Sequence, residues 1–224
     1  MDLSSIGLEA TLQKGVLLIE EELGSIKSIF IQRIGFESIK LGKTVLYIST
    51  KRSREDVLAQ MSAFGMDGNS EMFTILGDFK DRTTLLDMCY EDTPKRRKLY
   101  PLVAPSPQNI SGVDLCIVDT LTSLFIDVET HMVVDMLNSF IDVSRHSDTM
   151  FLLAADMGVF PERTERIMRS MVDGIIQFRT IYAGDKINKV INIPKLEGVL
   201  PPERMIPYHM TSEGISIDTR ERVG

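Results

Sequence analysis

Within residues 21–28, EELGSIKS, a glycine, a lysine and two hydroxyls lie close enough in sequence to act on one anion. Loops that cradle nucleotide phosphates read G-x-x-x-x-G-K-[ST]: the glycines let backbone N–H groups close on phosphate oxygens, the lysine neutralises them and the hydroxyl ligates magnesium. On that frame Lys27 and Ser28 hold the last two positions and Gly24 and Ser25 lie inside the loop, while Glu21 replaces the first glycine and Ile26 the second. Gly24, Ser25, Lys27 and Ser28 are therefore candidate phosphate-contacting residues. Asp119, which closes the apolar run DLCIVD at 114–119, is the matching carboxylate. With Ser28 it would form a magnesium site if nucleotide binds. The competing reading of 21–28 is an ordinary strand-to-helix connection whose lysine is solvated.

The substitutions in the loop have calculable costs. Glu20, Glu21 and Glu22 flank the expected cradle. A carboxylate ~5 Å from a phosphate charge, at an effective dielectric of about 20, costs about 3 kcal/mol. A hydrogen bond to a charged group returns only ~1.5–3 kcal/mol. One inward-facing glutamate would thus cancel what Lys27 offers. Ile26 is β-branched, resists positive φ and adds bulk where glycine lets the backbone approach a phosphate.

Positioning such a loop requires a strand before it and a helix after it. VLLIE at 16–20 reads as the strand, and SIFIQRIGFESIKLG at 28–42 as the helix. TVLYIST at 44–50 is β-branched enough for a buried strand. Ser53, with Asp56 three residues on, starts a helix that stops at Phe64 and Gly65. MFTIL at 72–76, DLCIVD at 114–119 and TMFLLAA at 149–155 are further strands, the last followed by Asp156. Helices are expected near 1–15, 85–88, 130–146 and 161–171. Strands alternating with helices predict a parallel sheet covered on both faces, with ligands at the carboxyl ends of its strands. From Gly174 onward, short strands separated by turn residues predict an antiparallel meander appended to that sheet. Residues 91–112, rich in proline and carrying Lys95, Arg96, Arg97 and Lys98, read as a long surface excursion and a candidate partner surface.

At 224 residues and 43% hydrophobic content, the chain suits one ordered domain over 1–224. No apolar run approaches the ~20 residues of a membrane helix, and the acidic amphipathic start is no secretory signal, so a cytoplasmic location is expected. A net charge of −7 disfavours nucleic acid as partner. Cys89 and Cys116 lie far apart, and His131, His146 and His209 are scattered; neither set has the spacing of a metal site.

The order of these segments resembles the RecA-like P-loop ATPase core, and within it the archaeal and cyanobacterial KaiC-type group, which includes the archaellum accessory ATPase FlaH. Residues 21–28 resemble a degenerate Walker A motif, and DLCIVDTLTSL at 114–124 resembles that group's Walker B strand. VLYISTKRSRED at 45–56 is similar to the strand that ends in the catalytic glutamate pair, and INKVINIPKLEG with MTSEGISI is similar to the strand bearing a lysine-x-arginine finger and the closing hairpin. The resemblance implies ATP and magnesium as cofactors, homo-oligomers up to a hexamer, and Lys195 as a further nucleotide contact reaching a neighbouring subunit. By the same alignment the glutamate pair falls on Lys51 and Arg52, and the finger becomes Lys195-x-Glu197. Phosphoryl transfer depends on positioning and charge stabilisation, so losing the water-orienting carboxylate and the arginine forfeits orders of magnitude each.

Three expectations follow. The first is an inactive or very weak ATPase that serves as a regulatory or assembly scaffold and binds no cofactor, with Glu197 of one subunit paired to Lys51 or Arg52 of the next. The second is an ATP-binding switch, or slow ATPase, in which Gly24, Ser25, Lys27, Ser28 and Asp119 still hold Mg-ATP. A recombinase-like DNA-binding role is the third, and the acidic balance opposes it.

Overall fold

The computed structural model describes residues 14–217 except 23, 25, 81, 83, 84, 86–112, 199, 201 and 213. Its strands are β1 (Gly15–Glu21), β2 (Val45–Ser49), β3 (Phe73–Leu76), β4 (Leu115–Asp119), β5 (Met150–Asp156), β6 (Gly174–Ala183), β7 (Lys186–Leu196), β8 (Ile206–Thr211) and β9 (Gly214–Ile217). Its helices are α1 (Ile26–Lys40), α2 (Arg54–Ala63), α3 (Leu121–Leu124), α4 (Thr130–Ser147) and α5 (Glu162–Met171). The expected helix near 1–15 and the one at 85–88 fall almost wholly outside the described residues, as does the basic run at 95–98.

All nine strands join one sheet in the order β3-β2-β4-β5-β1-β6-β7-β8-β9. Pairing is parallel from β3 through β1 to β6 and antiparallel from β6 to β9. The fold is therefore α/β, with a mostly parallel central sheet flanked by helices and a C-terminal antiparallel extension. The parallel strands are buried along nearly their whole length, as strands covered on both faces must be.

Two apolar layers sandwich the sheet. Leu17, Ile19, Tyr47 and Ile117 pack with Phe30, Ile31 and Ile34 of α1 and Val57 and Met61 of α2. Val16, Leu18, Val118 and Leu153 pack with Leu137 and Phe140 of α4 and Met168 of α5. The alternation of side chains along β1 sends odd-numbered residues to the α1 layer and even-numbered ones to the α4 layer. Helix α2 begins where the sequence predicts: Ser53 Oγ accepts from the Asp56 N–H at 3.1 Å, and the Asp56 carboxylate accepts in return from the Ser53 N–H. Gly77, just beyond β3, passes so close to this start that a Cβ would lie 2.3 Å from the Arg54 nitrogen. A glycine is what lets β3 and α2 meet there.

Candidate functional site

Register places three carboxylates at one end of the sheet. Glu21 ends β1 opposite Asp156, the last residue of β5, and Asp119 ends β4 opposite Ser49 of β2. These are the carboxyl ends of adjacent parallel strands, where open α/β sheets bind ligands.

Glu21 has an odd position on β1, so its side chain turns toward α1. Its Oε1 accepts from the Ile26 N–H at 3.3 Å and its Oε2 from the Lys27 N–H at 3.2 Å. Those donors belong to the first turn of α1, whose unsatisfied N–H groups and positive dipole end favour an anion. Gly24 lies over the same carboxylate at φ +145°, and a Cβ there would come within 2.4 Å of Glu21 Oε1. Lys27, only 3% exposed, directs Nζ to Asp156 Oδ1 at 2.6 Å and to Glu21 Oε2 at 3.7 Å. Asp156 also accepts from Lys51 Nζ, at 3.0 Å on its other oxygen. Burial alone would raise the Asp156 carboxyl, but the hydrogen bonds and charges of Lys27 and Lys51 outweigh it and hold the pKa below its ordinary value.

Asp119 is the hub of the other half. Its Oδ1 accepts from Ser28 Oγ at 2.9 Å and Thr120 Oγ1 at 3.0 Å, and its Oδ2 from Tyr47 Oη at 2.5 Å and Arg52 Nη2 at 2.6 Å. Arg52 reaches it from the start of α2, with Nη1 donating to Gln60. The peptide between Asp119 and Thr120 is cis. Burial, and then the neighbouring Asp119 charge, push the Tyr47 hydroxyl well above its ordinary pKa, so it serves as a neutral donor.

The chain thus brings Gly24 and Lys27 against Glu21 and Ser28 against Asp119, while Ser25 lies outside the described residues. Lys195 is not brought to this cluster within the chain. It sits toward the opposite end of the sheet, where Nζ caps the end of α5 through the Ser170 and Val172 carbonyls at 3.1 and 2.5 Å. Glu197 lies 3.9 Å from Lys195, and the expected partners Lys51 and Arg52 are engaged by Asp156 and Asp119 of their own chain. Of the three glutamates at 20–22, only Glu21 enters the cluster. Glu20 turns to the α4 layer, where Arg169 Nε bridges both its oxygens at 3.0 Å, and Glu22 is exposed. Tyr47 and Asp156 join the cluster without belonging to a phosphate-loop motif; their signal in the sequence is their position in β2 and at the end of β5.

Glu21, Asp119 and Asp156 face Lys27, Lys51 and Arg52, three carboxylates against three cations. Magnesium demands octahedral oxygen ligands with open lone pairs. Both oxygens of Asp119 are already saturated, one of them by a guanidinium. A phosphate at the start of α1 would meet the Glu21 carboxylate. In this arrangement the donor set does not fit a metal-bound triphosphate. Among the described residues no group of three or more His, Cys, Asp or Glu side chains is placed to hold a metal ion, and no helix is long and apolar enough to cross a membrane.

Comparison with known proteins agrees with this architecture. The fold is similar to that of the flagellar accessory protein FlaH from Methanocaldococcus jannaschii, at TM-score 0.73 and 18% identity over 96% of this chain and 93% of that one. It is also similar to the KaiC-like protein PH0186 from Pyrococcus horikoshii OT3, at TM-score 0.69 and 12% identity over 93% of this chain and 91% of that one. None of the curated proteins matches the chain. The family model described as "ATPase: KaiC" matches residues 7–222, and the chain therefore belongs to the KaiC ATPase family.

Proposed function

We propose that this protein is a non-hydrolysing member of its family that acts in the cytoplasm as a regulatory or assembly protein. The observation that carries this reading is the pair Lys51–Asp156 and Arg52–Asp119. Where the family resemblance places a glutamate pair, the chain has two cations that tie down the strand-end carboxylates. A general base must accept a proton from water, and a lysine or arginine in an ion pair cannot. The finger arginine is replaced by Glu197, so charge stabilisation is lost as well.

Self-association into a hexamer or smaller ring is part of the proposal. The tip of the β6–β7 hairpin exposes Ile181, Tyr182 and Ile187, apolar surface of the kind that interfaces cover. FlaH is a flagellar accessory protein, which suits a role in assembly. The second reading, an ATP-binding switch, would use the Ser28–Asp119 pair, 2.9 Å apart, for magnesium, and it requires Arg52 to release Asp119 first. Phosphate release from ATP in the presence of magnesium tests the first reading. No rate above the buffer blank is expected; turnover that disappears in Lys27→Ala would overturn it.

A further inference from the structure

We infer that Glu21 is a built-in occupant of the anion cradle at the start of α1, and that this carboxylate keeps phosphate compounds out. The inference deepens the non-hydrolysing reading by naming the residue that closes the site. Four observations converge on it. The carboxylate accepts the two N–H groups of the first α1 turn that a phosphate oxygen would take, at 3.3 and 3.2 Å. It is only 4% exposed, so it is part of the interior and not a surface side chain resting there. The buried Lys27 lies 3.7 Å from it. Finally, Gly24 leaves the space that this carboxylate fills, since a Cβ would stand 2.4 Å from its Oε1.

Charge completes the argument. With Glu21 present, three carboxylates cancel three cations. Without it, Lys27, Lys51 and Arg52 face only Asp119 and Asp156, and two helix N–H groups lose their acceptor. The site then carries an excess positive charge beside free donors, the chemistry that recognises a phosphate or pyrophosphate. No metal is needed for that ligand class, because Arg52 already supplies the cation at Asp119.

The test is calorimetric titration of inorganic pyrophosphate, without magnesium, into wild-type protein and Glu21→Ala, with thermal melts of both. Wild type should give no saturable heat to millimolar ligand and no shift in melting temperature. Glu21→Ala should melt lower alone, rise in melting temperature with pyrophosphate, and bind about 100-fold more tightly than wild type, the factor for one charge at about 5 Å in a dielectric of about 20. If Glu21→Ala does not fold, Glu21→Gln keeps the shape, removes the charge and should gain at least tenfold. Equal affinity in wild type and variant, or no gain in either variant, overturns the inference. Wild-type pyrophosphate binding without ATP turnover would sink this inference alone, whereas ATP turnover by wild type would sink the non-hydrolysing reading.

Discussion

At the scale of single residues, one atom's worth of space separates a cradle that holds its own carboxylate from one that does not. Gly24 adopts φ +145°, where an L side chain is strained, and its missing Cβ is the room in which Glu21 Oε1 lies. Gly24→Ala should therefore destabilise by roughly 1–3 kcal/mol through backbone strain and steric clash together. In Glu21→Ala the clash is gone and only the strain remains, so the two substitutions should be less than additive by ~0.5–2 kcal/mol in a double-mutant cycle read by urea unfolding. Additive costs would mean that the two residues do not share the space. The sequence made Lys27, Ser28 and Asp119 visible as a set because they stand at strand-to-helix and strand-end positions with the right side chains. It left Glu21 undecided among three glutamates, since period-two alternation says that Glu20 and Glu21 face opposite layers but not which layer holds α1.

At the scale of elements, the two helical layers fix which polar groups are shut in. Tyr208 of β8 packs its ring edge-on against Phe178 of β6, at 5.5 Å between centroids, in the α1 layer. Burial, and then the charge of Glu21, raise its pKa from 10.0 to about 12. A group whose folded pKa is raised contributes stability that is intact below the unfolded value and lost as pH rises through the folded one. The urea midpoint should accordingly fall as pH climbs from about 10 toward 12, and Tyr208→Phe should flatten part of that fall. An identical alkaline slope in wild type and variant would refute the coupling. Element identity was legible wherever patterning was strong: the Ser53 and Asp56 capping box starts α2, and the apolar runs at 16–20, 114–119 and 149–155 are β1, β4 and β5. The four-residue α3 was not legible, because Leu121–Leu124 is too short to show helical periodicity.

For the whole molecule, the strand order β2-β4-β5-β1 gathers the ends of four strands, and the sheet thereby assembles a site from segments more than a hundred residues apart. That crossover arrangement follows from the alternating strands and helices, although the sequence alone does not state which strands become neighbours. The resemblance to KaiC-type ATPases rests on the order of segments along the chain, and the family match over 7–222 agrees with that resemblance. What the resemblance could not supply is how Lys51 and Arg52 are used. Their cationic ends meet Asp156 and Asp119 inside one chain, and no neighbouring subunit is required to satisfy them. On these pairings we propose a phosphate site neutralised by the protein's own charges. Its most direct measurement is isothermal titration of ATP with magnesium into the wild-type protein. No saturable heat at millimolar nucleotide is predicted; sub-millimolar binding that Lys27→Ala abolishes would contradict it.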